Sequence, residues 1–252
     1  MKLVTFNIRC DYGQDGKNIF NNRKSFVLDK IREESPDIIC FQEVLPHVAL
    51  WLKENLSDYY VLGCGRDEQL KDEQTTIAYK KLKFNVMGLE VFWLSETPQV
   101  PASRYPDQST CPRVCTMALL QNMENGDCFR IYNTHLDHEG VEARRLGILQ
   151  ILDKMKQDKS FVPAPAILTG DLNAYPDSME LTQIMNDPAF IDATSEITVS
   201  YHDYGKEEHS SKIDYIFIPA EFEYKEVRVW DDCIDGLFLS DHYPISVEIY
   251  TK

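Results

Sequence analysis

The chain has 252 residues, 43% of them hydrophobic and 27% charged, the composition of an ordinary globular protein long enough to bury a substantial core. A formal net charge of -15, with no Lys/Arg-rich run, speaks against holding a long nucleic acid on a basic track. No apolar run approaches the roughly 20 residues of a membrane-spanning helix, and seven cysteines, an odd number, cannot all close into intrachain disulfides.

In chain order, "MKLVTFNIRC" reads as a first strand. Asn7 and Arg9 interrupt its apolar stretch too early for a signal-peptide core, and no small-residue cleavage site follows, so a cytoplasmic location is expected. Residues 22–35 carry Phe26, Val27 and Ile31 on one side and stop before Pro36, which predicts a helix. "DIICFQE" reads as a strand, and residues 47–56, with Leu50, Trp51 and Leu52, as a shorter helix. "TTIAYKK", "FNVMGLEVFWL", "TMALLQNM" and "CFRIYNTHL" are rich in Val, Ile, Tyr and Phe and read as strands. Residues 141–156 place Leu146, Leu149, Leu152 and Met155 at helical spacing. "PAILTGDLN" is a further strand, residues 177–185 a further helix, and "KIDYIFIP", "KEVRVW" and "YPISVEIY" the last strands. No linker, repeat or low-complexity tract interrupts this order, so residues 1–252 are expected to form one domain. Many strands with a few inserted helices predict a two-sheet α/β sandwich with helices on its outer faces.

Several strands end alike: an apolar run stops and acid, amide or imidazole follows. The residues are Asn7, Gln42 and Glu43, then Asn133, His135, Asp137 and His138, then Asp171 and Asn173, then Asp214, and last Asp241 and His242. Each alone is an ordinary strand-end or turn residue. Together they form an oxygen-rich set of the kind that suits Mg²⁺ or Mn²⁺. Asp214, between Ile213 and Tyr215 in an apolar run, is costly to bury without a partner, and a histidine is a natural one. "CPRVC", the one close cysteine pair, lacks the second pair a zinc site needs, so free thiols in a reducing compartment are expected.

The ordered segments Asn7, "QE", "NTHLDH", "GDLN", "IDYIF" and "SDH" resemble the endonuclease/exonuclease/phosphatase (DNase I-like) superfamily of Mg²⁺-dependent phosphoesterases, over residues 7 to 242. The resemblance implies a four-layered α/β sandwich, two packed and mostly antiparallel sheets flanked by helices, with the site at one edge between the sheets. It implies that Asn7, Glu43 and Asp241 belong to the metal site, with Glu43 the main Mg²⁺ ligand. His135 is then the phosphate-contacting histidine, Asp171 the residue that orients or deprotonates the attacking water, and Asn173 the donor to developing phosphoryl charge. Asp214 and His242 form a carboxylate–histidine pair. Elementary chemistry agrees: a phosphoester under attack needs positive charge, donors and an activated water.

"FWLSETP", "PRVCTMALL", "NTHLDHEGVEARR" and "SYHDYG" resemble a bacterial branch near the poly(A)-RNase-like proteins. Within it Arg113 is expected to contact phosphate, Asp137 and His138 to line the rim, and Arg144 and His202 to reach substrate. Where the branch carries a tryptophan this chain has Met117, a change expected to alter substrate packing. Trp93 reads as a core residue. Arg9 and His135 depart from the apurinic endonucleases, which place an acid and a tyrosine there. The expected activity is hydrolysis of a small or short phosphoester, such as a nucleotide, a short RNA end or a phosphorylated metabolite. No membrane or obligate protein partner is expected. The acidic or mixed flanks "GRDEQLKDEQ" and "WDDCID" weigh against the alternative of a general DNA or RNA nuclease, and the intact motif set against an inactive binding module.

Overall fold

The computed structural model describes residues 1–206, 208 and 210–251. Strand β1 (Lys2–Asn7) leads through helix α1 (Phe20–Glu34) into β2 (Ile38–Val44), and the two strands pair in parallel with Asn7 beside Gln42. A parallel neighbour requires such a helical crossover. Helix α2 (Pro46–Asn55) follows, then β3 (Tyr59–Leu62), β4 (Gln74–Lys80), β5 (Phe84–Trp93) and β6 (Val114–Asn122). A second crossover unit comes next. Strand β7 (Cys128–His135) passes through α3 (Val141–Phe161) to β8 (Ala166–Asp171), again parallel, with His135 beside Asp171. The chain closes with α4 (Thr182–Met185), β9 (Phe190–Asp192), β10 (Asp214–Pro219), β11 (Phe222–Val229), the small β12–β13 hairpin (Cys233–Ile234 and Leu237–Phe238) and β14 (Ile245–Thr251).

The strands form two six-stranded sheets, ordered β11-β14-β1-β2-β4-β3 and β5-β6-β7-β8-β10-β9. Each holds one parallel pair at its centre and is otherwise antiparallel. Both crossovers therefore end their strands toward an edge built from strand C-termini, the usual place for a ligand in open α/β sheets. One core lies between α1, α2 and the first sheet, another between α3 and the second sheet, and a third fills the space between the sheets. These are the four layers of the DNase I-like sandwich.

The period of two along each strand explains where the site must lie. The inward residues run Leu3, Thr5, Asn7 on β1, then Ile38, Cys40, Gln42 on β2, Ile131, Asn133, His135 on β7, and Ile167, Thr169, Asp171 on β8. On β10, which runs the other way, Ile218 and Ile216 lead to Asp214. The inter-sheet layer is thus apolar at one end and turns polar toward the other. A seam of amides and hydroxyls closes the transition. Gln42 Nε2 donates to Asn133 Oδ1 (2.8 Å), Asn133 Nδ2 donates to the Phe41 and Thr76 carbonyls, and the Thr75 and Thr116 hydroxyls meet at 2.9 Å.

Some local expectations change. Leu50 is exposed, and α2 buries Val48, Ala49 and Leu52, a face rotated by one residue. Helix α3 runs five residues past the expected end, to Phe161, and buries Ile148 and Ile151 more deeply than Leu146 and Leu149. Residues 177–185 hold only a 3₁₀ turn at Met179–Leu181 and the four-residue α4. The seven cysteines are free, with Cys233 exposed. Among the described residues no helix is long and apolar enough to cross a membrane.

Candidate active site

Local backbone devices aim the polar side chains. A register shift between Phe41 and Val44 interrupts the β2–β4 ladder, and Glu43 within it adopts φ +62°. A bulge of this kind re-aims one side chain out of the alternation. Gly170 has φ +142°, and a Cβ there would lie 1.9 Å from the Thr134 carbonyl oxygen, so only glycine lets β8 approach β7 closely enough to present Asp171. Asn173 sits in the left-handed region at φ +47°, which asparagine tolerates; its backbone N–H donates to Asp171 Oδ1 (2.9 Å) and its amide to the Leu136 carbonyl (3.0 Å).

Asn7 is the hub. Its Oδ1 accepts the Arg9 backbone N–H, which assigns the amide orientation and turns Nδ2 inward. Nδ2 lies 2.9 Å from Glu43 Oε1, 3.0 Å from Asp171 Oδ2 and 3.4 Å from His242 Nε2. Glu43 Oε2 accepts the Cys10 backbone N–H at 2.7 Å. His135 Nε2 and His242 Nε2 approach Asp171 Oδ2 at 3.5 and 3.8 Å. Asp214 Oδ2 meets His242 Nδ1 at 2.8 Å, the pair that burying Asp214 in an apolar strand demanded.

Burial and neighbouring charge divide these groups. Burial alone would lower His242, but the carboxylate of Asp214, helped by Asp171 and Asp241, raises it to about 10. His135, buried and facing Arg113, is pushed well below the usual histidine value. Burial and the Asp214 charge push Asp171 up to about 7. Burial of Glu43 is outweighed by the Arg9 charge, the Asn7 amide and the Cys10 N–H, which hold it below the usual carboxylate range. One histidine is thus a buried cation and the other a buried neutral ring.

These groups open into a cavity of about 490 Å³. Glu43, His135, Asp171, Asn173, Asp241 and His242 line it together with Arg113 and His138. Arg113 is buried: its Nε faces Asp137 Oδ1 (3.4 Å), its Nη2 donates to His138 Nδ1 (2.8 Å), and its buried Nη1 has no partner among the described residues. Asp137 does not line the rim. It is 2% exposed and accepts from the Ser109, Glu139 and Gly140 backbone N–H groups, tying the β7–α3 turn to the loop before β6. Arg144 is committed to Glu180 (2.8 Å) and the Asp137 carbonyl (3.0 Å), away from the cavity wall. His202 also lies off the wall; its ring stacks on Tyr243 at 3.8 Å and its Nδ1 accepts the Gly205 N–H. Met117 packs in the core beneath α3, so a tryptophan's absence there does not reshape the cavity directly. Trp93 is a core residue, with Nε1 donating to the Arg66 carbonyl at 2.6 Å.

The charged and aromatic wall residues that escaped the sequence reading are Arg9, Arg66, Glu73 and Tyr201. Arg9 pairs with Asp15 (3.1 Å) and Asp241 (3.4 Å), and Arg66 with Asp72 (3.0 Å) and Glu73 (2.9 Å). A positive φ of 64° at Arg9 is visible only in three dimensions, and Arg66 and Glu73 sat in a loop whose mixed charge reads as solvated.

Glu43, Asp171 and His242 offer ligand atoms within 4.8 Å of one another, and their carboxylates suit a hard divalent cation. The expected ligand Asn7 instead turns its Nδ2 donor toward Glu43 and Asp171, an orientation in which its amide holds the carboxylates and does not itself ligate. A protonated His242 cannot ligate, which leaves the carboxylates as the donors.

The model of the Endonuclease/Exonuclease/phosphatase family matches residues 4–242. A solved endonuclease/exonuclease/phosphatase from Bacteroides vulgatus is 31% identical, with a TM-score of 0.91, covering 100% of this chain and 98% of its own. A mannosyl-6-phosphatase of Bacteroides thetaiotaomicron is 27% identical at TM-score 0.91, over 99% of both chains. An uncharacterized protein of Acanthamoeba polyphaga mimivirus is 26% identical over 98% of this chain and 99% of its own.

Proposed function

The chain belongs to the endonuclease/exonuclease/phosphatase family, whose members are phosphoesterases and nucleases, and from that premise we propose that this hydrolase of ester bonds cleaves a small or short phosphoester by attack of an activated water. The observation that carries the proposal is the convergence of Glu43, Asp171, His135, Asn173 and His242 on one cavity, with the Asn7 amide bridging the two carboxylates.

Glu43, with Asp241 on the same cavity wall, would hold Mg²⁺, or Mn²⁺ in its place, and the Asn7 amide would steady the Glu43 carboxylate. The ion would supply positive charge to the phosphoryl oxygens. Asp171, poised near neutrality by burial, orients the attacking water and accepts its proton. His242, kept cationic and oriented by Asp214, donates to the phosphoryl oxygens, with the Asn173 amide and neutral His135 as further donors. Arg113, on the cavity wall, supplies positive charge toward the phosphate. Arg144, Asp137 and His202 act through the loops they brace.

The small end of the substrate range is favoured by a cavity of about 490 Å³, the size of a small-molecule site, by the net charge of -15, and by the likeness to a mannosyl-6-phosphatase along the whole chain. The test is kcat/KM at fixed Mg²⁺ for nucleotides, sugar phosphates, lipid phosphates, a short RNA and plasmid DNA, each across a salt series. The expected result is preference for a small phosphoester, loss of activity with a chelator, and a shallow salt dependence of roughly one or two phosphate contacts. Efficient plasmid cleavage with a steep slope would establish a general nuclease instead.

A further inference from the structure

Helix α1 carries an arginine in the middle of its buried stripe. Phe20, Arg23, Val27 and Ile31 recur at helical spacing and are all buried, with Arg23 at 0% exposure. Its Nε donates to the Asn18 carbonyl (2.5 Å) and its Nη1 to the Leu239 carbonyl (2.5 Å). Among the described residues no carboxylate pairs with it, and its Nη2 has no partner. Burial pushes the guanidinium below the usual arginine value, and Tyr204, Asp241, Asp15 and Asp11 offset that only in part. A leucine or methionine would anchor the helix without desolvating a cation. Arg23 is not on the cavity wall, so direct contact with a substrate does not account for it either.

The two carbonyls it grips belong to the two arms that meet at Asp241. Asn18 ends a 3₁₀ turn at Gly16–Asn18 in the β1–α1 loop, the loop that carries Arg9 and its partner Asp15. Leu239 lies two residues before Asp241, in a stretch between the end of β13 at Phe238 and the start of β14 at Ile245. Asn18 Oδ1 also accepts the Phe238 N–H (3.1 Å), so the same two arms are joined twice. Where they end, Arg9 Nη1 meets Asp241 Oδ2 at 3.4 Å. From the other side the loop before β10 holds the segment, through the His202 N–H to the Asp241 carbonyl (2.9 Å) and the Tyr243 N–H to the Ser200 carbonyl (2.6 Å). We propose that Arg23 is a positioning residue of the hydrolytic site: by clamping the Asn18 and Leu239 carbonyls it fixes the Asp241 carboxylate for the divalent cation, and so sets the affinity for that cation without touching the cation or the substrate. The inference rests on the phosphoesterase reading, in which Glu43 and Asp241 hold the ion. Only a planar guanidinium fork reaches two carbonyls in fixed directions at once; an ammonium is a single point. Groups that orient metal ligands from behind typically account for about 10- to 100-fold in metal affinity.

The experiment titrates Mn²⁺ into the substrate-free protein by calorimetry, a readout independent of turnover, with the thermal midpoint of each variant recorded without the ion. Glu43→Ala should lose the binding event of this site, which identifies the event to follow. Arg23→Lys keeps the charge but loses the fork, and should weaken that binding by at least about 10-fold. Asn18→Ala removes the acceptor of the Phe238 N–H and should weaken it in the same direction, by at least about 3-fold. Val27→Ala, on the same buried stripe, lowers the midpoint by leaving a cavity but should bind Mn²⁺ as the wild type does. Wild-type affinity in folded Arg23→Lys and Asn18→Ala, or an equal loss in Val27→Ala, would overturn the inference and leave the phosphoesterase reading standing. Absence of any Glu43-dependent Mn²⁺ binding in the wild type would instead remove the metal site on which both rest. Where Arg23→Lys does not fold, Asn18→Ala set against Val27→Ala decides the matter.

Discussion

Replacing Asp214 by Asn tests the coupling that organises the site. His242 is buried, and its value near 10 depends on Asp214 Oδ2 at 2.8 Å from Nδ1. Relative to an ordinary histidine near 6.5, that shift corresponds to about 4 kcal/mol of stability at pH 7. This agrees with the roughly 3–5 kcal/mol lost when one partner of a buried ion pair is removed. The sign follows from the direction of the shift. A histidine raised on folding contributes fully below its unfolded value and loses the contribution as pH rises through its folded value. Asp214→Asn should therefore destabilise most near pH 6, and the deficit should shrink as pH approaches 10. The assay is denaturant unfolding of the wild type, Asp214→Asn, His242→Gln and the double variant at pH 6, 7 and 9.5, with a chelator present so that no bound cation shifts the balance. A deficit under about 1 kcal/mol, one that does not change with pH, or additive single variants would refute the reasoning.

Glu43→Ala should remove Mg²⁺-stimulated hydrolysis by at least about 1000-fold while the circular dichroism spectrum stays unchanged; near-normal activity at ordinary Mg²⁺ would overturn the assignment. Gly170→Ala drives a methyl into the Thr134 carbonyl, 1.9 Å away, and should cost more than about 3 kcal/mol in denaturant unfolding besides moving Asp171. A loss below about 1 kcal/mol would show that β8 relaxes freely. In Asp137, burial is outweighed by the Ser109 and Gly140 hydrogen bonds and by Arg113, which hold the carboxyl down to about 2. Its contribution is present above the ordinary carboxylate range and lost as pH falls toward 2. Asp137→Asn should thus cost about 2 kcal/mol at pH 7 and progressively less below pH 4, read from unfolding curves.

The candidate site was legible wherever a residue broke the pattern of its own strand. Asn7, Glu43, His135, Asp171 and Asp214 each follow or interrupt an apolar run, and burying such groups is unfavourable without a shared purpose. That cost demanded a partner for Asp214, and the family resemblance named His242 as that partner. The sandwich was legible for the same reason, since long strands keep a period of two and long helices a stripe; the short β3, β9, β12 and β13 carry too few residues to show either. Depth and direction were not legible. Asp137, Arg144 and His202 have the residue types of substrate contacts, yet the turn of Asp137, the Glu180 partner of Arg144 and the Tyr243 ring under His202 hold them off the cavity. A net charge of -15 counts residues wherever they lie, while the wall gathers Arg9, Arg66 and Arg113 from three segments far apart in the chain. Sequence determines which groups a strand end or an apolar run must present, because local periodicity and burial cost act within a few residues. Which distant loops close over those groups is decided only when two sheets pack and the β3–β4 turn brings Arg66 and Glu73 to the edge that β1, β2, β7 and β8 have made.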